Sequence, residues 1–69
     1  MKIYNAQRLW DYDVESIGVY DSLDKAIDDL LNTFGSYDLM FVDEQDLNSV
    51  REGKRVWDCD DEGVETFYG

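Results

Sequence analysis

The chain of 69 residues has no histidine, no proline, one cysteine and only six basic side chains. Each shortage excludes something. Without histidine, the Ser–His and Cys–His pairs that activate a nucleophile cannot be assembled. A lone thiol and no imidazole fall short of the four Cys or His ligands of a structural zinc site. Cys59 has no second cysteine in the chain to join in a disulfide. No low-complexity linker or internal repeat interrupts the sequence, so residues 1–69 read as a single acidic domain. No apolar run approaches the roughly 20 residues of a membrane span. Met1-Lys2-Ile3-Tyr4-Asn5 lacks the apolar stretch of a secretion signal. A soluble, cytoplasmic protein is the expectation.

Carboxylates are abundant. Seventeen Asp and Glu face six Lys and Arg, for a formal charge of −11. Charge this one-sided opposes compaction and favours solubility. It repels nucleic acid and anionic lipid, so direct binding to either is not expected. The chain is nevertheless 43% hydrophobic and 14% aromatic. Disorder requires low hydrophobicity as well as high charge, so a folded domain is predicted. A domain this small buries only about 60% of its unfolded surface, and large aromatic side chains compensate for that.

Lys2 to Trp10 reads as a first strand, with Tyr4, Ala6 and Trp10 on one face and Ile3 and Leu9 on the other. Asp11 to Ser16 is polar enough to be a hairpin connection, and Ile17 to Tyr20 resumes as a strand. Ser22 is a good helix N-cap, with Asp21 and Asp24 at the positive end of the dipole. Leu23, Ala26, Ile27, Leu30, Leu31 and Phe34 then recur at helical spacing. Gly35 is placed to close the helix in a left-handed conformation. Tyr37 to Val42 carries a continuous apolar run, which suits a central strand, and Asp43 to Asp46 ends it. Leu47 to Gly53 is ambiguous, a helical turn followed by a loop. Lys54 to Cys59 and Val64 to Tyr68 form a terminal hairpin around Asp60-Asp61-Glu62-Gly63. The predicted class is α+β, a small antiparallel sheet in the order β-β-α-β-β with one helix on one face. Tyr4, Ala6, Trp10, Val19 or Tyr20, Leu39 or Met40, and Trp57 would floor the helix. The other face would stay partly open and carry aromatics, a candidate surface for self-association.

Several constellations have a bland reading beside a functional one. Asp58, Asp60, Glu62 and Gly63 match four positions of a calcium loop, but the required twelfth-position Glu would fall on Gly69. Paired carboxylates of the glycosidase type arise by chance among so many acids. Cys59 lies among Asp58, Asp60 and Asp61, which raise a thiol pKa, so a buried core cysteine is the better reading. Trp10 and Trp57 suit core packing or an interface anchor. Arg51, Lys54 and Arg55 form a basic cluster too small to mark a nucleic-acid footprint. No cofactor, metal site or catalytic group is predicted, and no enzymatic activity is expected.

The segment Ile17-Gly18-Val19-Tyr20-Asp21-Ser22 running into Leu23-Asp24-Lys25-Ala26-Ile27 resembles small uncharacterised bacterial and phage proteins. In them a strand ending G-V-[FY]-x-[ST] leads straight into a helix. Lys2-Ile3-Tyr4 at the first strand is a further likeness. The resemblance implies a β-β-α-β-β arrangement and no specific activity. In composition the chain is also similar to small acidic phage anti-defence proteins, such as anti-CRISPR proteins and other DNA mimics.

The acids with a patterned placement are Asp11, Asp13 and Glu15, then Asp28 and Asp29 on the outer helix face, then Asp58, Asp60, Asp61 and Glu62. Alternate residues of a strand lie about 6.6 Å apart on one face, so alternating acids make a row of charge. The expectation is a phage-encoded inhibitor or adaptor in the host cytoplasm. Such carboxylates would occupy the basic, nucleic-acid-binding surface of a nucleic-acid-processing or defence protein. The alternative is a structural module that forms homodimers through the open sheet face, its charge serving solubility alone.

Overall fold

A computed structural model describes residues 1–33, 35–48 and 53–68. β1 (Lys2–Trp10) and β2 (Asp13–Tyr20) form a hairpin, and α1 (Leu23–Leu31) follows. β3 (Leu39–Asp46), β4 (Lys54–Asp60) and β5 (Glu65–Phe67) complete the chain. All strands join one antiparallel sheet in the order β2-β1-β3-β4-β5. α1 packs across β1, β2 and β3 on one face. The fold is α+β, and the helix falls between the second and third strands as predicted.

The register explains the core. Ala6 pairs with Val42, Val42 with Trp57, and Met40 with Cys59, so these side chains share one face. Ala26 and Leu30 of α1 close over them, flanked by Leu23, Ile27, Tyr4, Ile17, Tyr20 and Tyr37. Trp57 is fully buried, and its indole Nε1–H donates to Glu65 at 3.2 Å. Burying each large apolar side chain contributes about 1.5–3 kcal/mol. The expected floor residues Tyr4, Ala6, Tyr20, Met40 and Trp57 are all in this cluster. Trp10 is not. It ends β1 with 53% of its surface exposed, while Val19 and Leu39 face the other side. Tyr20 leans back over Gly18, where a Cβ would come within 2.7 Å of its hydroxyl oxygen.

Several element boundaries differ from those read in the sequence. β2 begins at Asp13, so the predicted Asp11–Ser16 connection shrinks to the two residues Asp11 and Tyr12. Both have positive φ, 50° and 70°, as in the type I′ turn that matches strand twist. β3 runs on to Asp46 because its acidic half pairs with Lys2–Asn5. Gln7 donates to Asp43 at 3.1 Å and Lys2 to Glu44 at 2.9 Å. Ser22 caps α1 as expected, its Oγ accepting from the Lys25 amide at 3.3 Å. The helix ends earlier than expected, however. Asn32 is its C-cap, and the Asn32 and Thr33 side chains donate to the carbonyls of Asp28 and Asp29, the first of which also accepts the Asn32 amide. Gly35, with φ 121°, belongs to the turn beyond. Phe34, Arg51 and most of the ambiguous 47–53 segment lie outside the described residues.

The face away from α1 is mixed in character. Val14 and Val19 are exposed there beside the half-buried Ile3, Leu9 and Leu39. At its centre Phe41 is buried under the Arg55 guanidinium, 4.4 Å from the ring centroid. Arg55 lies 3.8 Å from Asp58, which also accepts the Tyr68 hydroxyl at 2.6 Å. Polar pairs, Gln7 with Asp43 and Ser16 with Asn5, cross the rest.

Candidate protein-binding rim

Strand direction alternates across the sheet, so both tight hairpin tips fall at the same end. β1 rises to Trp10 and turns at Asp11-Tyr12. β4 rises to Asp60 and turns at Asp61-Glu62-Gly63. β3 enters at that end too, and Leu39 pairs with Leu9 on one side and Asp60 on the other. The result is a rim that carries Asp11, Asp13, Asp38, Asp60, Asp61 and Glu62.

Local hydrogen bonds build this rim. The Asp38 amide donates to the Leu9 carbonyl at 2.7 Å, and its Oδ2 accepts from the Asp11 amide at 3.0 Å. Asp38 therefore joins the first hairpin tip to the start of β3. At the second tip Asp60 Oδ1 accepts from the amides of Glu62 and Val64 at 3.0 and 2.9 Å. Short acidic side chains favour turns because they satisfy backbone donors in this way. Gly63 completes the turn with φ 86°, a left-handed value open to glycine at no steric cost. The calcium-loop match dissolves here. Asp60 is engaged by the turn, and Asp58 lies on the open face with Arg55 and Tyr68. Among the described residues no group of His, Cys, Asp and Glu is placed to hold a metal.

Five of the acids singled out in the sequence thus meet on the rim: Asp11, Asp13, Asp60, Asp61 and Glu62. Four do not. Glu15 lies one rung below Asp13 on the same face and pairs with Arg8 at 3.0 Å. Asp28 bonds Asn32 within α1, and Asp29 accepts the Tyr20 hydroxyl. Asp58 belongs to the open face. Asp38 joins the rim without having been singled out. No local pattern marks it, and only the pairing of Leu39 with both neighbouring strands brings it there.

Three of the five described ion pairs lie at the opposite end. The Met1 amino group lies 3.6 Å from Asp46, Lys2 2.9 Å from Glu44, and Lys25 2.9 Å from Asp21. The Lys2 hydrogen bond lowers the Glu44 pKa, and the Lys25 hydrogen bond lowers that of Asp21. The Asn48 amide, with the chain amino group next, lowers that of Asp46. Lys54 and Arg55 also begin β4 in this half. Arg8 lies below the rim, with 13% of its side chain exposed.

Cys59 is buried, as expected, with its Sγ 3.6 Å from the Asp60 carbonyl. Burial pushes its thiol pKa up. Glu65, Asp60 and Asp58 add to this, against a hydrogen bond from Tyr37. No pocket opens among the described residues, and none of the helices is long and apolar enough to cross a membrane. Comparison with family models, curated proteins and solved structures gives no match.

Proposed function

We propose that the acidic rim docks on a positively charged protein surface of the kind that otherwise holds nucleic acid, and acts by occupying it. The observation that carries this reading is segregation: the rim gathers carboxylates from three chain segments, while three of the five described ion pairs lie at the other end and none involves a rim acid. Four inter-strand steps of about 4.8 Å make the rim about 19 Å across. Its Asp11, Asp13, Asp38, Asp60, Asp61 and Glu62 then come to roughly one charge per 3 Å, close to the ~3.4 Å spacing along one DNA strand. Such a field steers a cationic partner into contact and excludes its nucleic acid without chemistry. The compositional likeness to acidic phage anti-defence proteins points the same way. A homodimer through the open face has less support, because polar pairs and the Arg55–Phe41 stack cover its centre.

The test compares two variants of equal charge. One carries Asp11, Asp38 and Asp61 as Asn, and the other carries Asp21, Asp24 and Asp28 as Asn. Partners retained from a bacterial lysate are assayed for displacement by duplex DNA and for association rate across a salt series. The rim variant should associate at least tenfold more slowly at low salt, and the other should stay near the parent. Equal losses from both variants, or binding indifferent to salt and to DNA, would overturn the reading.

A further inference from the structure

The protein twice shows how it holds a guanidinium. Arg55 lies over the Phe41 ring at 4.4 Å with Asp58 at 3.8 Å. Arg8 on β1 meets Glu15 of β2 across the sheet at 3.0 Å. Two residues nearer the rim, on the same face, Trp10 pairs directly with Asp13. Directly opposed residues of an antiparallel pair have Cβ atoms about 4.5–5.5 Å apart, so the two side chains leave the sheet as neighbours on one face. The rung thus repeats the elements that hold Arg55, an aromatic face and a carboxylate. Here Trp10 is 53% exposed, and the Asp13 side chain makes no hydrogen bond or ion pair among the described residues. Asp11 and Asp38 lie just beyond, joined by the Asp11 amide.

We infer that the Trp10–Asp13 rung is a docking point for an arginine side chain on a protein partner. Arginine is singled out over lysine by geometry. Its planar guanidinium stacks on an indole face while its edge donates two parallel bonds to a carboxylate. Tryptophan is the best such face, and arginine is the commoner cation on it. Lysine, a compact point charge, gains little from the ring. The rung would therefore supply discrimination within a contact whose rate the whole rim controls. This inference rests on the reading of the rim as a surface for a basic partner.

The experiment uses the full chain with two probes of equal charge, nona-arginine and nona-lysine peptides, at low and moderate salt. Calorimetry gives each affinity, and two indole N–H signals report by NMR. Trp10 is the sensor, and the buried Trp57 is the internal control for fold. The arginine peptide should shift the Trp10 signal and bind about three- to tenfold more tightly than the lysine peptide. Trp10→Ala should remove that preference while both peptides still bind, and Asp13→Asn should weaken the arginine peptide selectively. The Trp57 signal should hold its place in each variant. If the two peptides bind equally and Trp10 stays still, the arginine site is overturned while the basic-partner reading stands. If neither peptide binds even at low salt, both are overturned.

Discussion

Replacing Tyr12 by glycine should make the protein more stable, although it deletes a large aromatic side chain. The cause is local. Asp11 and Tyr12 occupy the two central positions of the first hairpin turn, with φ of 50° and 70°. A side chain with a Cβ in the left-handed region costs about 1–2 kcal/mol. Glycine removes that cost but loses about 0.5–1 kcal/mol more backbone entropy on ordering. The Tyr12 side chain is 96% exposed, so its deletion forfeits almost no packing. Asp-Gly is also a preferred dipeptide for this turn. The balance is a gain of about 0.5–1 kcal/mol, which raises the melting temperature of a domain this size by roughly 2–8 °C. Thermal unfolding followed by circular dichroism measures it, with Tyr12→Ala as the control. Alanine keeps the Cβ and hence the strain, so its melting temperature should stay near that of the parent. A fall on Tyr12→Gly, or equal gains for Gly and Ala, would refute the account of the turn.

Other perturbations have equally definite outcomes. Trp57→Ala empties the centre of the core and should cost about 3–5 kcal/mol. Total stability at this length is roughly 3–10 kcal/mol, so a urea midpoint should collapse or the cooperative transition should vanish. Cys59 should resist thiol reagents at neutral pH, because it is buried and its thiol pKa is raised; labelling should proceed only at the rate of unfolding. Asp21, Glu44 and Asp46 have folded pKa values below their ordinary ones. Their stabilisation is therefore present in full above the unfolded carboxylate values and is lost as pH falls through the folded ones. Carboxyl NMR titrations should place these three midpoints low, and Lys2→Ala should return Glu44 toward the ordinary value.

The elements visible in the sequence were those whose signal is local. Ser22 followed by the Leu23–Leu30 spacing marks α1, and the run Met40-Phe41-Val42 marks a strand buried on both faces. Gly63 after three acids marks the last turn. What was misread depends on distant partners. Asp13–Ser16 looks like a loop because β2 is an edge strand with exposed side chains on both faces. Asp43–Asp46 looks like a strand end until Lys2 and Gln7 arrive from the other end of the chain to engage its acids. The rim was legible in part for the same reason. Its two hairpin tips are acidic in sequence, but their meeting at one end, and the inclusion of Asp38, follow from strand order alone. The tryptophans divide likewise. Trp57 is opposite Val42 in the interior, whereas Trp10 sits where β1 runs out beyond the core.

The direction of β1 has a practical corollary. Eight steps of extended chain, at about 3.3 Å each, separate Lys2 from Trp10 by about 26 Å, most of the 33 Å long axis. Anything tethered at Met1 therefore hangs from the far pole of the molecule. A dye, a bead or a fused carrier attached there leaves the Asp11–Asp13 tip pointing outward into solution, and immobilisation through that terminus orients every copy alike.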